Sequence, residues 1–267
     1  MDRPYSLVTR RPLGVIALSI ALLGMYLPVV MVFIYSFNAS RIGTVWTGFS
    51  LDAYRQLALQ TDLWKSLAAS CCIAAAASTL SVIAGTLAAM GLAHWPSRLR
   101  SAAQGVLALP LVTPDVITAL ALAMFFSALK LQQGWGTVIA AHAVFGISYA
   151  FVVMAGAVQD LDATLFAAAL DCGATPFQAF RRVIVPILLP SLLVAWLFVF
   201  ALSFDDFLIT FMTKGPGTDT LPIKIYTQMR FGIKPQTNAL FVVLFLVTLG
   251  GALFASHILH HRNSRLD

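Results

Sequence analysis

The chain has 267 residues, of which 59% are hydrophobic and only 10% charged, and its mean hydropathy is +0.85. A soluble globular domain usually carries about 25% charged residues, so this composition excludes one. The net charge of +6 does not point to nucleic acid, because the basic residues are scattered beside apolar runs and form no stripe or stacking platform.

Apolar runs of 18 or more residues read as membrane-spanning helices. Six occur, at about 13–37, 66–93, 102–128, 137–158, 188–212 and 239–259. They predict one all-α, polytopic membrane domain over residues 1–267, held in the lipid bilayer. The first run follows Arg3, Arg10 and Arg11 and is too long for a signal-peptide core, so it is expected to stay as an uncleaved span. The second contains alanines 74–77, Gly85, Ala88, Ala89 and Gly91. Helices in lipid associate through close backbone approach, which predicts that this span is buried among its neighbours.

The third run is interrupted, because Pro110 and Pro114 bracket Leu-Val-Thr. Proline removes a backbone hydrogen bond and disfavours a helical residue before it, so a kink or restart is expected. Thr113 would then cap the new segment and Asp115 would open its first turn. The fourth run carries His142, expected to bond a backbone carbonyl.

The segment 159–187 is read as helix, turn, helix. Asp162 can cap a short helix, and Gly173 supplies the left-handed residue that ends it. Thr175, Pro176 and Gln178 then form a capping box with proline at the first helical position. So much built-in order predicts a docking surface. Basic residues crowd short segments near span ends on one side (9 against 8 overall) and sit in long loops on the other. The positive-inside rule weights the former, which places both termini and the 159–187 insert in the cytoplasm.

Asp115, Asp205 and Asp206 are the sharpest chemical features within the spans. An intramembrane carboxylate costs about 2.5–3.5 kcal/mol by insertion scales and is expected to face a cavity or a partner. Asp115 and Asp205 lie 13 and 14 residues into spans that start near 102 and 191. A rise of about 1.5 Å per residue puts both about 20 Å deep, which suggests one polar path for a cationic solute. Asp205 and Asp206 point about 100° apart, so one of the two is expected to line the path. Tyr149, Trp196, Phe204 and Phe207 could offer ring faces to an ammonium group.

His257, His260 and His261 share a helical face but lack an acidic or cysteine partner, so no metal site is expected. Cys71, Cys72 and Cys172 imply no disulfide framework. There is no phosphate loop or hydrolase motif, which argues against an enzyme. No internal repeat is visible, which weakens a carrier built from inverted halves.

Ala167-Ala168-Ala169, Gly173 and Val183-Ile184-Val185-Pro186 resemble the EAA signature of permease subunits of binding-protein-dependent ABC importers, with Ala167 in place of the glutamate. The stretches PVVMVFIYSFNAS (28–40), LPLVTPDVIT (109–118) and LSFDDFLITFMTKGPGTDTLP (202–222) look like the spermidine/putrescine permeases, particularly the putrescine-type second subunit. The resemblance implies the MetI-like fold of a type I importer. It also implies a heterodimer with a second permease subunit, two ATPase subunits that bind the ATP and Mg, and a periplasmic solute-binding protein. This chain would be a non-catalytic translocation subunit in the bacterial inner membrane, binding no cofactor itself. By the same resemblance Ala167, Ala168, Ala169, Asp171, Gly173, Thr175, Pro176 and Pro186 form the ATPase-coupling loop. The substrate pathway would contain Asp115, Asp205, Asp206, Tyr149 and Trp196. Two alternatives stand beside the polyamine reading: a permease for ferric iron, an amino acid or an oxyanion, and a proton-coupled carrier using Asp115 or Asp205.

Overall fold

A computed structural model describes residues 12–40, 45–162, 164–230, 232 and 234–263, with side chains between 14 and 250. Arg3, Arg10, Arg11, Arg41, His257, His260, His261, Arg262 and Arg265 therefore lie outside the described side chains. The regular elements among the described residues are helices: α1 Pro12–Ser36, α2 Asp52–Leu59, α3 Thr61–Ala93, α4 Ser97–Val112, α5 Asp115–Ala128, α6 Trp135–Gln159, α7 Thr164–Asp171, α8 Pro176–Ala179, α9 Val185–Asp205, α10 Leu208–Thr213, α11 Leu221–Met229 and α12 Pro235–Asn263. A π-helical turn, Phe180–Ile184, joins α8 to α9. Of the described helices, α1, α3, α6 and the run through α9 are each long and apolar enough to cross a membrane, and the bent α4–α5 pair reaches that length and apolarity only when its two halves are taken together. The last helix adds an apolar stretch from Pro235 to Gly250.

The chain divides into two compact units, residues 64–224 and residues 1–63 with 225–267. In the first, α3, α6 and α9 meet around Val82, Ala89, Ala150, Phe151, Met154, Leu188, Ala195 and Val199. Small residues let these backbones approach closely. A Cβ on Gly85 would stand 2.8 Å from Phe151 N, and one on Gly146 would stand 2.6 Å from Val199 Cγ1. Ser81 Oγ uses the same proximity to donate to Ala143 O at 3.0 Å. Ala74, Ala77 and Ala89 are buried, as the small-residue composition of the second span predicts.

Two expected spans are broken. The third bends by 107° between α4 and α5. Thr113 does not cap α5, contrary to expectation: its hydroxyl donates to Leu109 O at 2.7 Å, and Pro114 holds the cap position. The bend precedes Asp115, so counting rise along a straight helix does not carry the equal depth of Asp115 and Asp205. The fifth span ends at Asp205 instead of running to 212, because Asp206 is extended (φ −66°, ψ 130°) and helix resumes at Leu208. The cause is local: the Asp206 carboxylate accepts from Ile209 N (3.3 Å) and Thr210 N (2.8 Å). An aspartate that caps a new segment competes with continuation of the old one. Helices α5 and α10 both pack on α6, through Ala119, Phe126, Ala141, Phe145 and Ile209.

In the other unit α1 lies along α12, with Phe33 and Phe245 edge to face at 5.5 Å. Helix α2 reaches α12 through a hydrogen bond from Gln236 Nε2 to Gln56 Oε1. The apolar window of α1 is not buried by the protein, as suits a surface covered by lipid.

Candidate functional site

Every cap read from the sequence between 162 and 178 is present. Asp162 Oδ1 accepts from Thr164 N at 2.9 Å and Thr164 Oγ1 at 2.7 Å. The hydroxyl bond, and then the backbone bond, hold this exposed carboxyl below its ordinary pKa. Helix α7 ends in a Schellman turn: Gly173 N donates to Leu170 O (2.8 Å) and Ala174 N to Ala169 O (3.1 Å). Gly173 sits at φ +85°, where an L side chain is strained. The capping box closes reciprocally, Gln178 N to Thr175 Oγ1 at 3.3 Å and Thr175 N to Gln178 Oε1 at 3.0 Å.

These turns fold the insert around a groove of about 540 Å³, whose lining includes Ala168, Ala169, Cys172, Gly173, Gln178 and Arg182. Ala167, Asp171, Thr175 and Pro176 are exposed beside it, and Phe177 exposes 69% of its surface. Pro186 directly follows the π turn, in which Val185 N bonds Phe180 O, and its missing N–H takes one backbone bond out of the continuing helix. From Pro176 to Asp205 helix continues through the π turn into the fifth span. No loop intervenes between groove and membrane.

The acids of the spans separate into two kinds. Asp115 is exposed at the first position of α5, where the positive end of the helix dipole favours a carboxylate. Tyr149, on α6, is half-buried. Its ring packs on Phe145 (4.9 Å) and Phe198 (5.6 Å). Asp205 is exposed at the last turn of α9. At about 100° per residue, Phe198 and Asp205 share one face of α9 while Trp196 lies about 180° from Asp205. Trp196 instead donates to Thr79 Oγ1 (3.0 Å) and stacks on Phe200 (5.1 Å), which stacks on Phe204 (6.0 Å). Phe207 stacks on Phe211. Phe198, which sequence reading missed, thus joins the Tyr149 ring to the face of α9 that carries Asp205 about two turns further on, and Trp196 lies on the opposite face.

Asp206 is engaged differently. Its Oδ2 lies 3.3 Å from Nε2 of His142, a residue only 2% exposed on α6. His142 also meets Ser203 Oγ (2.6 Å) and Thr210 Oγ1 (3.0 Å), so it bonds side chains of α9 and α10 and not a backbone carbonyl. The rule that intramembrane ionisable groups pair with one another was the signal that could have suggested this contact, but nothing in the sequence brings residues 142 and 206 together.

A sequence model described as "Binding-protein-dependent transport system inner membrane component" matches residues 81–266. The putrescine transport system permease protein PotI of Escherichia coli (strain K12) is 37% identical over 242 residues, covering 87% of this chain and 85% of that protein. The spermidine/putrescine transport system permease protein PotC of Escherichia coli (strain K12) is 29% identical over 225 residues, covering 84% and 85%. A chain of a bacterial ABC transporter involved in import of the acidic polysaccharide alginate matches with a TM-score of 0.69 at 15% identity, over 95% of this chain and 99% of that one. The inward-facing MetNI methionine ABC transporter matches with a TM-score of 0.56 at 18% identity, over 70% and 90%. With its broken spans, ordered insert and these likenesses, the chain belongs to the family of binding-protein-dependent transport system inner membrane components.

Proposed function

We propose that this chain is the translocation subunit of an ATP-driven importer of polyamines in the bacterial inner membrane, both termini cytoplasmic. It would work beside a second permease subunit, two ATPase subunits and a periplasmic solute-binding protein. The observation that carries the reading is the knuckle from Thr164 to Ile184: a capped, grooved surface that continues as helix into the fifth span. A push on α7 would reach α9 through the hydrogen-bonded turn at Gly173 and the unbroken helix from Pro176 onward. ATP and Mg would be held by the partner ATPases, and this chain offers no phosphate loop for them. Import then follows as a population shift between inward and outward states, each partner biasing the state it binds better.

The substrate class rests on likeness to PotI and PotC, together with the exposed acids Asp115 and Asp205 and the Tyr149–Phe198 ring pair. Carboxylates attract ammonium groups, and ring faces add cation–π attraction without holding the solute tightly. The fold alone does not choose a solute, since the alginate transporter of similar fold imports an acidic one. The His142–Asp206 pair among the helices is a feature that a proton-coupled carrier could also use. Reconstitution separates the two. Putrescine uptake into vesicles that requires ATP, the ATPases and the binding protein supports the importer. Uptake driven by a proton gradient without ATP would refute it.

A further inference from the structure

We infer that His142 is a positioning residue of the solute path: by tying α6 to both sides of the break at Asp206 it fixes the bearing of Asp205. The inference rests on the reading that Asp205 faces the solute. His142 is 2% exposed and touches three side chains that bracket the break, Ser203 before it and Asp206 and Thr210 at and after it. Both oxygens of Asp206 are engaged: Oδ1 accepts from Ile209 N, Oδ2 accepts from Thr210 N and Thr210 Oγ1 (3.1 Å), and His142 Nε2 lies 3.3 Å from Oδ2. Thr210 Oγ1 gives its proton to Asp206, so a proton on Nε2 can serve both Thr210 Oγ1 and Asp206 Oδ2.

Asp205 contrasts with its neighbour. It precedes the extended residue, points about 100° away from Asp206 and is exposed. A residue at the last turn of a helix takes its direction from where that helix ends. Here the end is set by Asp206, and Asp206 is set by His142. Without the imidazole, the Asp206 carboxylate, only 14% exposed, would lose its polar neighbour on α6, and the cap of α10 would loosen. The capped restart also seats Ile209 against Ala119 and Phe126 of α5, the helix that begins with Asp115.

The test uses the assembled transporter, with Cys71, Cys72 and Cys172 replaced by serine and a single cysteine at Asp205→Cys or, as control, at the exposed Ala201→Cys on the same flank of α9. The rate of modification by a cationic methanethiosulfonate is measured with His142 intact, His142→Gln and His142→Leu. The rate at 205 should change by about tenfold in His142→Leu, the shift that losing one hydrogen bond to a charged group produces. It should stay near the parent value in His142→Gln, whose amide supplies a donor and an acceptor, and the rate at 201 should not move. An unchanged rate at 205, or an equal change at 201, would overturn the assignment. If His142→Leu does not assemble, His142→Leu with Asp206→Leu replaces the pair by apolar groups and is read the same way. Loss of assembly in the double variant as well would make His142 a residue of folding and overturn the assignment. Putrescine uptake is measured in parallel with Asp205 intact. A changed rate at 205 with normal uptake in His142→Leu would keep the positioning role and remove Asp205 from the path.

Discussion

Replacing Gly173 separates backbone strain from contact at the knuckle. The residue sits at φ +85°, and a Cβ built there meets nothing within 4 Å. Any internal penalty is therefore conformational. An L residue held in this left-handed region costs about 1–2 kcal/mol, a factor of about 5–30 in the population of the turn. A β-branched side chain costs more, and asparagine less. Losing the turn releases the bonds from Gly173 N and Ala174 N, which join the end of α7 to the segment leading into α8. Transported putrescine per ATP hydrolysed, measured on the reconstituted assembly, should fall in the order Gly173→Asn, Gly173→Ala, Gly173→Val, with assembly intact throughout. Asparagine is bulkier than alanine, so a steric effect on a docked partner would reverse the first two. Normal coupling in Gly173→Val would refute the reasoning outright.

Asp115→Asn and Asp205→Asn should each slow uptake of a polyamine by about tenfold, which is loss of about 1.4 kcal/mol of attraction for the passing cation; unchanged uptake in both would remove them from the path. Gly146→Ala should destabilise the α3–α6–α9 core by about 1–3 kcal/mol, because its Cβ would run into Ser81 Oγ and Val199 Cγ1; a thermal melt of the purified complex checks this. The Asp162 carboxyl is held low by its Thr164 bonds, so the cap on α7 is fully present above the ordinary carboxylate range and lost only as pH falls through the depressed value. Amide exchange at the start of α7 should accelerate on that acid side, and Asp162→Asn should flatten the dependence.

Much of this was legible because it is local. Caps at Asp162, Gly173 and Thr175 depend on residues within four positions, and each bond formed as the residue types require. Burial of the second span followed from its alanines and glycines. The break at Thr113–Pro114 was visible in the prolines, but its 107° angle depends on how α5 packs against α6 and α10. The break at Asp206 was not anticipated, since its apolar flanks read as one span and the capping bonds give no hydropathy signal. His142 and Asp206 were each noted without being paired, because 64 positions of sequence separate partners that touch only once α6 and α9 are packed. Trp196 was grouped with the acids by proximity in sequence, whereas helical geometry turns it to Thr79.

Cys172 offers the most direct test of force transfer through the knuckle, because it is exposed and lines the groove behind α7. A short bifunctional maleimide added to the assembled transporter should join Cys172 to a nucleotide-hydrolysing subunit, with a yield that changes when ATP is supplied. If Cys172 reacts with a monofunctional maleimide yet never yields an adduct containing an ATPase, the insert is no motor contact and the account fails at its centre.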